Sequence, residues 1–291
     1  MTTSTHEAVV LRGRGVHTGI SSSVEVRRRD DEGGLRFFWP GSMESILPVD
    51  LISFRREARR STVLKSASGQ SIRTPEHLLA AALFFAEQPL DVVCDAAELP
   101  GLDGSAAPFY EAFSGIAEPA TWREYDSELR WEYEGPEGSI RTIPFDSFSL
   151  EYEWRAERFS LFVSDIAIQE ILPARTFIHY RKWIAVKRDA DLLAGVDAGS
   201  GLLLADSPEE FASAREKHPE FEGQSFPLLH PARFRMKQEV VKHKILDLLG
   251  DLALLDLSLP KLRLEIRDGG HALNHLLLEQ LQHERRERKL F

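Results

Sequence analysis

Three polar side chains recur at four-residue spacing in "EVVKHKILDLLGDLALL", residues 239–255, and their types suit metal binding. His243, Asp247 and Asp251 would lie along one side of a helix, beside a broad apolar face. His243 and Asp247 are one turn apart, so both could bind one ion. Asp251 lies one turn further along, within reach of a neighbouring side chain but not of the same metal. A buried polar ladder paired with arginines accounts for the spacing equally well, and both interpretations stay open at this point.

A second candidate pair, Glu76 and His77, lies in "IRTPEHLLAAALFF". Thr74 is a good N-cap and Pro75 suits the first helical position, so a helix is expected to begin here. His77 would then lie near the positive end of the helix dipole, which disfavours imidazolium and keeps the neutral ring that zinc requires. In an arbitrary protein, a solvated capping glutamate and a satisfied histidine are the commoner case. "EH" also lacks the second histidine four residues later that marks zinc-protease helices.

The elements that would position these residues fall into two halves. Strand-like alternation marks "SSVEVRRR", "GLRFFW" and "LDVVCDA" in the first half and "FSLEYEW", "RFSLFVS" and "KLRLEIRD" in the second. Helical periodicity marks "PEHLLAAALFFAE", "FRMKQEVVKHKILDLLGDLALL" and "HALNHLLLEQLQHERRERK". The polar stretch "TWREYDSELRWEYEGPEGS" lies between the halves. We therefore predict an α+β fold made of a duplicated unit, with domains at residues 1–122 and 128–291, each a small sheet with helices on one face.

Composition excludes several classes of protein. The chain has 291 residues, with 36 Lys and Arg against 46 Asp and Glu, and a net charge of −10 argues against a general nucleic-acid partner. Cys94 is the single cysteine, which leaves no disulfide framework and no thiolate metal cluster. The N-terminus lacks an apolar core of signal-peptide length, and the longest apolar run, "LLAAALFFA", is too short to span a bilayer. These features predict a soluble cytoplasmic protein.

A series of motifs resembles one known family. "RGRGVHTG", "STVLKSASGQSIRTPEHLLAAAL", "AELPGLDGSAAPFYEAF", "PARTF", "VVKHKILDLLGDLALL" and "GGHALNHLLL" occur in this order. Together they resemble the zinc-dependent UDP-3-O-acyl-N-acetylglucosamine deacetylases of lipid A synthesis, the LpxC family, over nearly the whole chain. The resemblance implies two α+β domains whose helices meet between two sheets, with the metal at the domain interface. It also implies that His77, His243 and Asp247 hold a zinc ion.

The same resemblance implies catalytic roles. Glu76 matches the general base, and His271 matches an imidazolium that steadies the oxyanion and protonates the leaving amine. Asp251 would pair with His271 and raise its pKa. Thr176 matches a hydroxyl donor to the oxyanion. The implied reaction is hydrolysis of the N-acetyl group by a metal-activated water.

Further matched positions concern the substrate. Phe177 matches an aromatic residue beside the sugar, Lys244 a cation near the head group, and His17 a histidine near the metal. The implied substrate is an acylated, UDP-linked amino sugar, with peripheral membrane contact through its acyl chain and no obligate protein partner. Iron(II) could replace zinc, since imidazole and carboxylate ligands accept both.

Departures from the family pattern concern the substrate-facing residues. Asp268 stands where a lysine facing the nucleotide is usual, and Lys182 stands where an acid is usual. The segment bordering the acyl passage survives only as "AGVDAGSGLLLAD". Either Lys182, Arg267 and Lys244 rebuild a cationic site for a diphosphate, or the enzyme is a paralogue that deacetylates a different N-acyl sugar or acylated amine. A non-catalytic lipid- or sugar-binding relative and a structural protein with merely paired His and Asp are further alternatives.

Overall fold

A computed structural model describes residues 8–38, 45–46, 62–65, 71–155, 157–162, 167–188, 201–230 and 233–288. The fold is α+β, as the sequence predicts, with two five-stranded sheets. None of the helices in these ranges combines the length and apolar character that crossing a bilayer would need. Cys94 is buried in the core.

The first sheet is built from residues 8–94. The strands of this part of the chain are β1 (Ala8–Arg14), β2 (Ser21–Arg28), β3 (Arg36–Phe38), β4 (Ser45–Ile46), β5 (Val63–Lys65), β6 (Ser71–Arg73) and β7 (Leu90–Cys94). Their order in the sheet is β1-β2-β7-β3-β4, and β5 and β6 form a separate hairpin. Strand β2 shows why these segments form strands, because Ser22, Val24 and Val26 alternate into the core while their neighbours face outward.

The second sheet is built from residues 131–267. The remaining strands are β8 (Arg123–Tyr125), β9 (Trp131–Gly135), β10 (Gly138–Pro144), β11 (Ser149–Trp154), β12 (Glu157–Phe162), β13 (Phe177–His179), β14 (Leu202–Leu204), β15 (Leu228–His230), β16 (Ser258–Pro260) and β17 (Leu262–Arg267). The order in this sheet is β9-β10-β17-β11-β12, and β8 pairs with β16. The polar stretch at 121–139 therefore contributes strands, where the sequence suggested only a junction.

The two sheets have the same topology, so the expected duplication is confirmed. In each sheet the last strand along the chain, β7 or β17, lies in the centre. It runs antiparallel to the second strand of its unit and parallel to the third. The outer pairs are antiparallel in both sheets. The exact domain boundaries at 122 and 128 stay a prediction.

The helices in the described residues are α1 (Glu76–Ala82), α2 (Ala107–Ser114), α3 (Ala167–Ile171), α4 (Tyr180–Arg188), α5 (Pro208–Lys217), α6 (Glu239–Leu252) and α7 (His271–Glu287). A 3-10 turn, Leu83–Phe85, continues α1. Helix α1 packs against α2 and α6, and α6 packs against α7, β11 and β12. The apolar faces of these helices form one continuous core with both sheets. Such burial is the main favourable term in folding.

A third, three-stranded sheet was not predicted. Strands β13, β14 and β15 pair in this order and carry α4 and α5, with two small apolar clusters of their own. Each of these strands has three residues, too few to show a recognisable alternation in the sequence. The lobe formed by this sheet and its two helices begins at Phe177, the last residue of "PARTF", and lies beside the site described below.

Two local predictions are wrong. Thr74 does not cap α1, because its hydroxyl donates to Glu98 Oε1 at 3.2 Å and its φ is 61°. Pro75 takes the N-cap position, without a side-chain hydrogen bond. Helix α6 begins at Glu239 instead of Phe234, since Gln238 adopts a left-handed conformation with φ 55° that ends any helix leading into it.

Candidate metal centre

Three buried side chains converge where α1 meets α6. His77 comes from α1, and His243 and Asp247 come from α6; one donor atom of each lies within 4.8 Å of the others. Asp247 Oδ1 is 3.5 Å from His77 Nε2 and 3.3 Å from His243 Nε2. The structure thus brings together the three residues expected to hold the metal.

His243 is oriented by the backbone. Its Nδ1 lies 3.0 Å from the carbonyl oxygen of Ala174, so Nδ1 carries the proton and donates it. The Nε2 lone pair then points toward Asp247 and the centre of the cluster, as in histidines that bind metals. Burial lowers the pKa of His243 to about 4, which keeps the ring neutral.

His77 and Asp247 behave as a charge pair. Burial alone would raise the pKa of Asp247, but the neighbouring His243 and His271 lower it well below its usual range. Burial would also lower the pKa of His77, yet the hydrogen bond and charge of Asp247 raise it. The nearby carboxylate thus acts on His77 in the opposite direction to the helix dipole, and the neutral state of His77 stays a prediction. A proton on His77 or a cation in the cluster can balance the Asp247 charge.

The donor set fits a divalent metal ion. Two imidazoles and one carboxylate are the ligands of many catalytic zinc sites, which keep the fourth position for water or substrate. Glu76, the first residue of α1, supports this interpretation: its Oε2 is buried and no described residue hydrogen-bonds it. A buried carboxylate oxygen without a partner is rare unless water or a ligand occupies the adjacent space. Burial raises the pKa of Glu76 to about 7, which suits a general base.

His271 lies close to both Glu76 and Asp247. It is the first residue of α7; its Nε2 is 3.9 Å from Glu76 Oε1 and 3.7 Å from Asp247 Oδ2. Its Nδ1 lies 3.2 Å from Asp251 Oδ2. Burial would lower the pKa of His271, but the carboxylates of Asp247 and Asp251 raise it to about 9. The two carboxylates thus favour the protonated form of the His271 ring.

The Asp251 carboxylate is held by residues that the sequence did not single out. Asn274 Nδ2 donates to Asp251 Oδ2 at 2.8 Å, and the Thr62 hydroxyl donates to Oδ1. Thr62 Oγ1 also lies 3.1 Å from His275 Nε2. One signal was available, because Asn274 follows His271 by three residues on a predicted helix and so shares its face. Nothing in the sequence pointed to Thr62, which contacts Asp251 across 189 residues.

A cavity of about 800 Å³ opens beside this cluster, and four further predicted residues line it: His17, Thr176, Phe177 and Lys244. Lys244 Nζ lies 4.8 Å from the ring centroid of Trp154 and 5.4 Å from that of Phe177. Burial lowers the pKa of Lys244. Trp154, at the end of β11, is thus an aromatic wall of the cavity that the sequence did not reveal.

The His17 loop is anchored by a buried acid. Glu98 accepts hydrogen bonds from the backbone nitrogens of His17 and Thr18, both at 2.8 Å, and from the Thr18 hydroxyl at 2.6 Å. It also accepts the Thr74 bond that removes Thr74 from its expected capping position. Glu98 lies in "AELPG", but its type and position suggested no role. It joins the His17 loop to the start of α1, where Glu76 and His77 lie.

The two residues that exchange charge relative to the family both line the cavity. Lys182 comes from the first turn of α4. Asp268 Oδ1 accepts a hydrogen bond from the backbone nitrogen of Arg155 at 3.1 Å, so this carboxylate has a local structural partner. Arg267 lies outside this lining, and its side chain, 70% exposed, is 3.4 Å from Glu153. Of the expected border segment, residues 194–200 lie outside the described residues.

Comparisons with known proteins agree with the motifs. Residues 2–208 and 224–283 match the sequence model of a family described as LpxC, UDP-3-O-acyl N-acetylglycosamine deacetylase. A UDP-3-O-acyl-N-acetylglucosamine deacetylase of Chlamydia trachomatis serovar D is 27% identical over 95% of this chain and 94% of its own length. A protein of the same description from Nitratidesulfovibrio vulgaris is 26% identical over 96% and 87%. A bifunctional enzyme LpxC/FabZ of Porphyromonas gingivalis is 27% identical over 94% of this chain and 62% of its own.

Proposed function

The chain belongs to the LpxC deacetylase family, and on that premise we propose that it is a zinc-dependent amidohydrolase of lipid A biosynthesis. The proposed substrate is UDP-3-O-acyl-N-acetylglucosamine, from which the enzyme removes the N-acetyl group. The observation that carries this proposal is the convergence of His77, His243 and Asp247 beside the buried Glu76 and His271. A cytoplasmic location stays a prediction.

We infer that His77, His243 and Asp247 hold the metal, with zinc as the first choice and iron(II) as a chemically suitable substitute. When bound, such an ion lowers the pKa of a water molecule and polarises an amide carbonyl. The neutral His243 and the ionised Asp247 are already in the protonation states that ligands need.

The chain's own residues would divide the proton transfers between them. Glu76, whose Oε2 has no partner among the described residues, would take the proton of the attacking water. His271 would give its Nε2 proton to the leaving amine, and Asp251 would hold the ring through Nδ1. The pKa values, raised to about 7 for Glu76 and about 9 for His271, favour this division between base and acid. Thr176, which lines the cavity, would donate its hydroxyl to the carbonyl oxygen.

Charged residues in the cavity lining bear on the head group of the substrate. Lys182 and Lys244 face one cavity, and neither forms a salt bridge to a carboxylate within the described residues; the charge of Lys182 also contributes to the lowered pKa of Lys244. Two lysines in one cavity favour an anionic ligand such as a diphosphate, and the carboxylate of Asp247 acts on Lys244 in the opposite direction to Lys182. The second candidate function, deacetylation of another N-acyl sugar or amine, is favoured by Asp268, which places an acid in the same lining.

A metal analysis tests the proposed ligands. His243→Ala is expected to lose most of the bound zinc after dialysis against a mild chelator, because one of three protein ligands is gone. Elemental analysis by mass spectrometry measures this. His283→Ala is the matched control, since His283 is exposed on α7 and should retain a full equivalent. A full equivalent of metal in His243→Ala would show that the ligand assignment is wrong.

The head group can be tested with two substrates. Acetate release is measured with UDP-3-O-acyl-N-acetylglucosamine and with the acylated N-acetylglucosamine that lacks the nucleotide. We expect Lys182→Met to raise KM roughly 2- to 5-fold for the first substrate only, the size appropriate to an exposed charge. Lys217→Met, on α5, is the control and should leave both KM values unchanged. Equal kcat/KM for the two substrates in the unmodified enzyme would instead support the second candidate function.

A further inference from the structure

A buried ion pair outside the proposed catalytic set joins α6 to the segment 173–176. The side chains of Arg175 and Glu239 are 8% and 0% exposed. Arg175 Nε and Nη2 donate to Glu239 Oε1 and Oε2 at 2.7 and 3.1 Å, a two-pronged contact. The Arg175 backbone nitrogen also donates to Oε1 at 3.1 Å, and the Arg235 nitrogen donates to Oε2 at 2.7 Å. Each oxygen of the Glu239 carboxylate therefore accepts two hydrogen bonds, and these bonds hold the side chain in one orientation.

The pair lies between two proposed active-site groups. Glu239 opens α6, one turn before His243, and it continues the four-residue spacing of His243 and Asp247 toward the N-terminus. Arg175 stands between Ala174, whose carbonyl orients His243 at 3.0 Å, and Thr176. Segment 173–176 is also held by backbone hydrogen bonds at its last residue. Thr176 N donates to Gly104 O and Leu202 N donates to Thr176 O, both at 2.7 Å.

Two contacts on successive turns of α6 restrain more than one contact does. Packing against α1, α7, β11 and β12 holds α6 itself in the core. With the His243–Ala174 bond alone, segment 173–176 would be tied to α6 at a single point, which does not by itself fix its rotation about the helix or its axial position. The ion pair adds a second point one turn away and so fixes both the rotation and the axial position. Buried ion pairs often add little to stability over apolar residues of similar size. A role in geometry therefore accounts for this pair better than a role in stability.

We infer that Arg175 and Glu239 are positioning residues: their ion pair sets the alignment of segment 174–176 with α6, and thereby the direction of His243 Nε2 and the place of the Thr176 hydroxyl. The part of this inference that concerns turnover rests on the proposed function. The part that concerns metal affinity depends only on the ligand cluster.

The test uses variants that do not leave a charge buried alone. Arg175→Met/Glu239→Met removes both charges at once and should fold, with a lower unfolding temperature because the backbone nitrogens of Arg175 and Arg235 lose their acceptor. Its zinc affinity, measured by competition with a chromophoric chelator, is expected to fall about 10- to 100-fold, as for other changes behind a ligating histidine. Its kcat on the proposed substrate should fall at least as far, with KM changed less than about twofold.

A conservative variant and a control pair complete the experiment. Arg175→Lys keeps the charge but cannot make the two-pronged contact, so it should fold and still show reduced metal affinity. The matched control is Arg36→Met/Asp91→Leu, which removes an equally two-pronged pair from the first sheet, at 2.8 and 3.2 Å, and should leave metal affinity and kcat unchanged.

The outcomes separate the two proposals. Unchanged zinc affinity in either Arg175 variant that folds would overturn the positioning role. Failure of the unmodified enzyme to release acetate from any N-acyl sugar would count against the proposed function alone, because the zinc titrations remain informative. If the control pair lost zinc affinity to the same extent, the loss would reflect general destabilisation of the protein, and the inference would be overturned.

Discussion

Glu76→Gln is expected to keep the metal and to lose roughly 10²- to 10⁴-fold in kcat, the range for removal of a general base. Glutamine has nearly the same shape as glutamate, so the start of α1 and the direction of His77 should not change. The amide cannot accept a proton from water at neutral pH. Acetate release under saturating substrate and metal content by elemental analysis are the two measurements, and they should separate chemistry from metal binding.

The control for this change is Glu209→Gln, in the first turn of α5, where the carboxylate is exposed and outside the cavity lining. It should leave kcat unchanged. Normal turnover of Glu76→Gln with a full metal equivalent would show that another group takes the proton. Loss of metal together with activity would show that Glu76 acts through the metal site instead of as the base.

The sequence predicted the fold well where the pattern was long. Strands β2, β11 and β17 have six to eight residues and appear within one or two residues of the expected bounds, because alternation over that length is typical of a half-buried strand and of little else. Helix α6 was found but begins five residues later than expected, since its apolar periodicity continues through residues that the left-handed Gln238 keeps out of the helix. The three-residue strands of the third sheet carried no readable pattern.

The candidate site divides in the same way. His243, Asp247 and Asp251 could be predicted as a set because one helix carries all three, and local spacing in a helix fixes which side chains share a face. Glu239 precedes them by the same spacing and lies within the predicted helix, but nothing in the sequence pointed to its partner Arg175, 64 residues earlier in the chain. Thr62 and Glu98 could not be predicted, because their contacts join segments whose distance in the chain says nothing about their distance in space.

The polar row on α6, formed by Glu239, His243, Asp247 and Asp251, lets one helix organise the whole site. Glu239 and His243 contact residues 175 and 174 of one segment, Asp247 contacts helix α1, and Asp251 contacts helix α7 and residue 62. A shift of α6 would therefore displace the proposed catalytic groups on each of these parts of the chain. A change in the packing of α6 should affect the site more strongly than it affects the rest of the fold.

Gly250→Ala is expected to disturb the structure strongly, because an added methyl group at Gly250 would make the closest contact of any glycine in the described part of the chain. A Cβ at Gly250 would lie 2.0 Å from the carbonyl oxygen of Glu76 and 2.6 Å from its carbonyl carbon. These are backbone atoms in the first turn of α1, so the two helices would have to separate. Alanine gains up to about 1 kcal/mol in helix propensity, but overpacking costs about 1–3 kcal/mol or more. The variant should therefore unfold at a lower temperature.

The effect on catalysis should exceed the effect on stability, because the displaced backbone belongs to the proposed base and immediately precedes the ligand His77. A misplacement of about 1 Å can cost on the order of 10²-fold in rate. Calorimetry, zinc affinity and kcat measure the three consequences. Gly115→Ala is the control: Gly115 ends α2 with an ordinary helical φ of −69°, and its added Cβ would meet no atom closer than 3.4 Å. It should be neutral in all three. If Gly250→Ala retained zinc affinity and kcat while the control behaved as expected, the close approach of α1 and α6 would not be what holds Glu76 and His77 in the site.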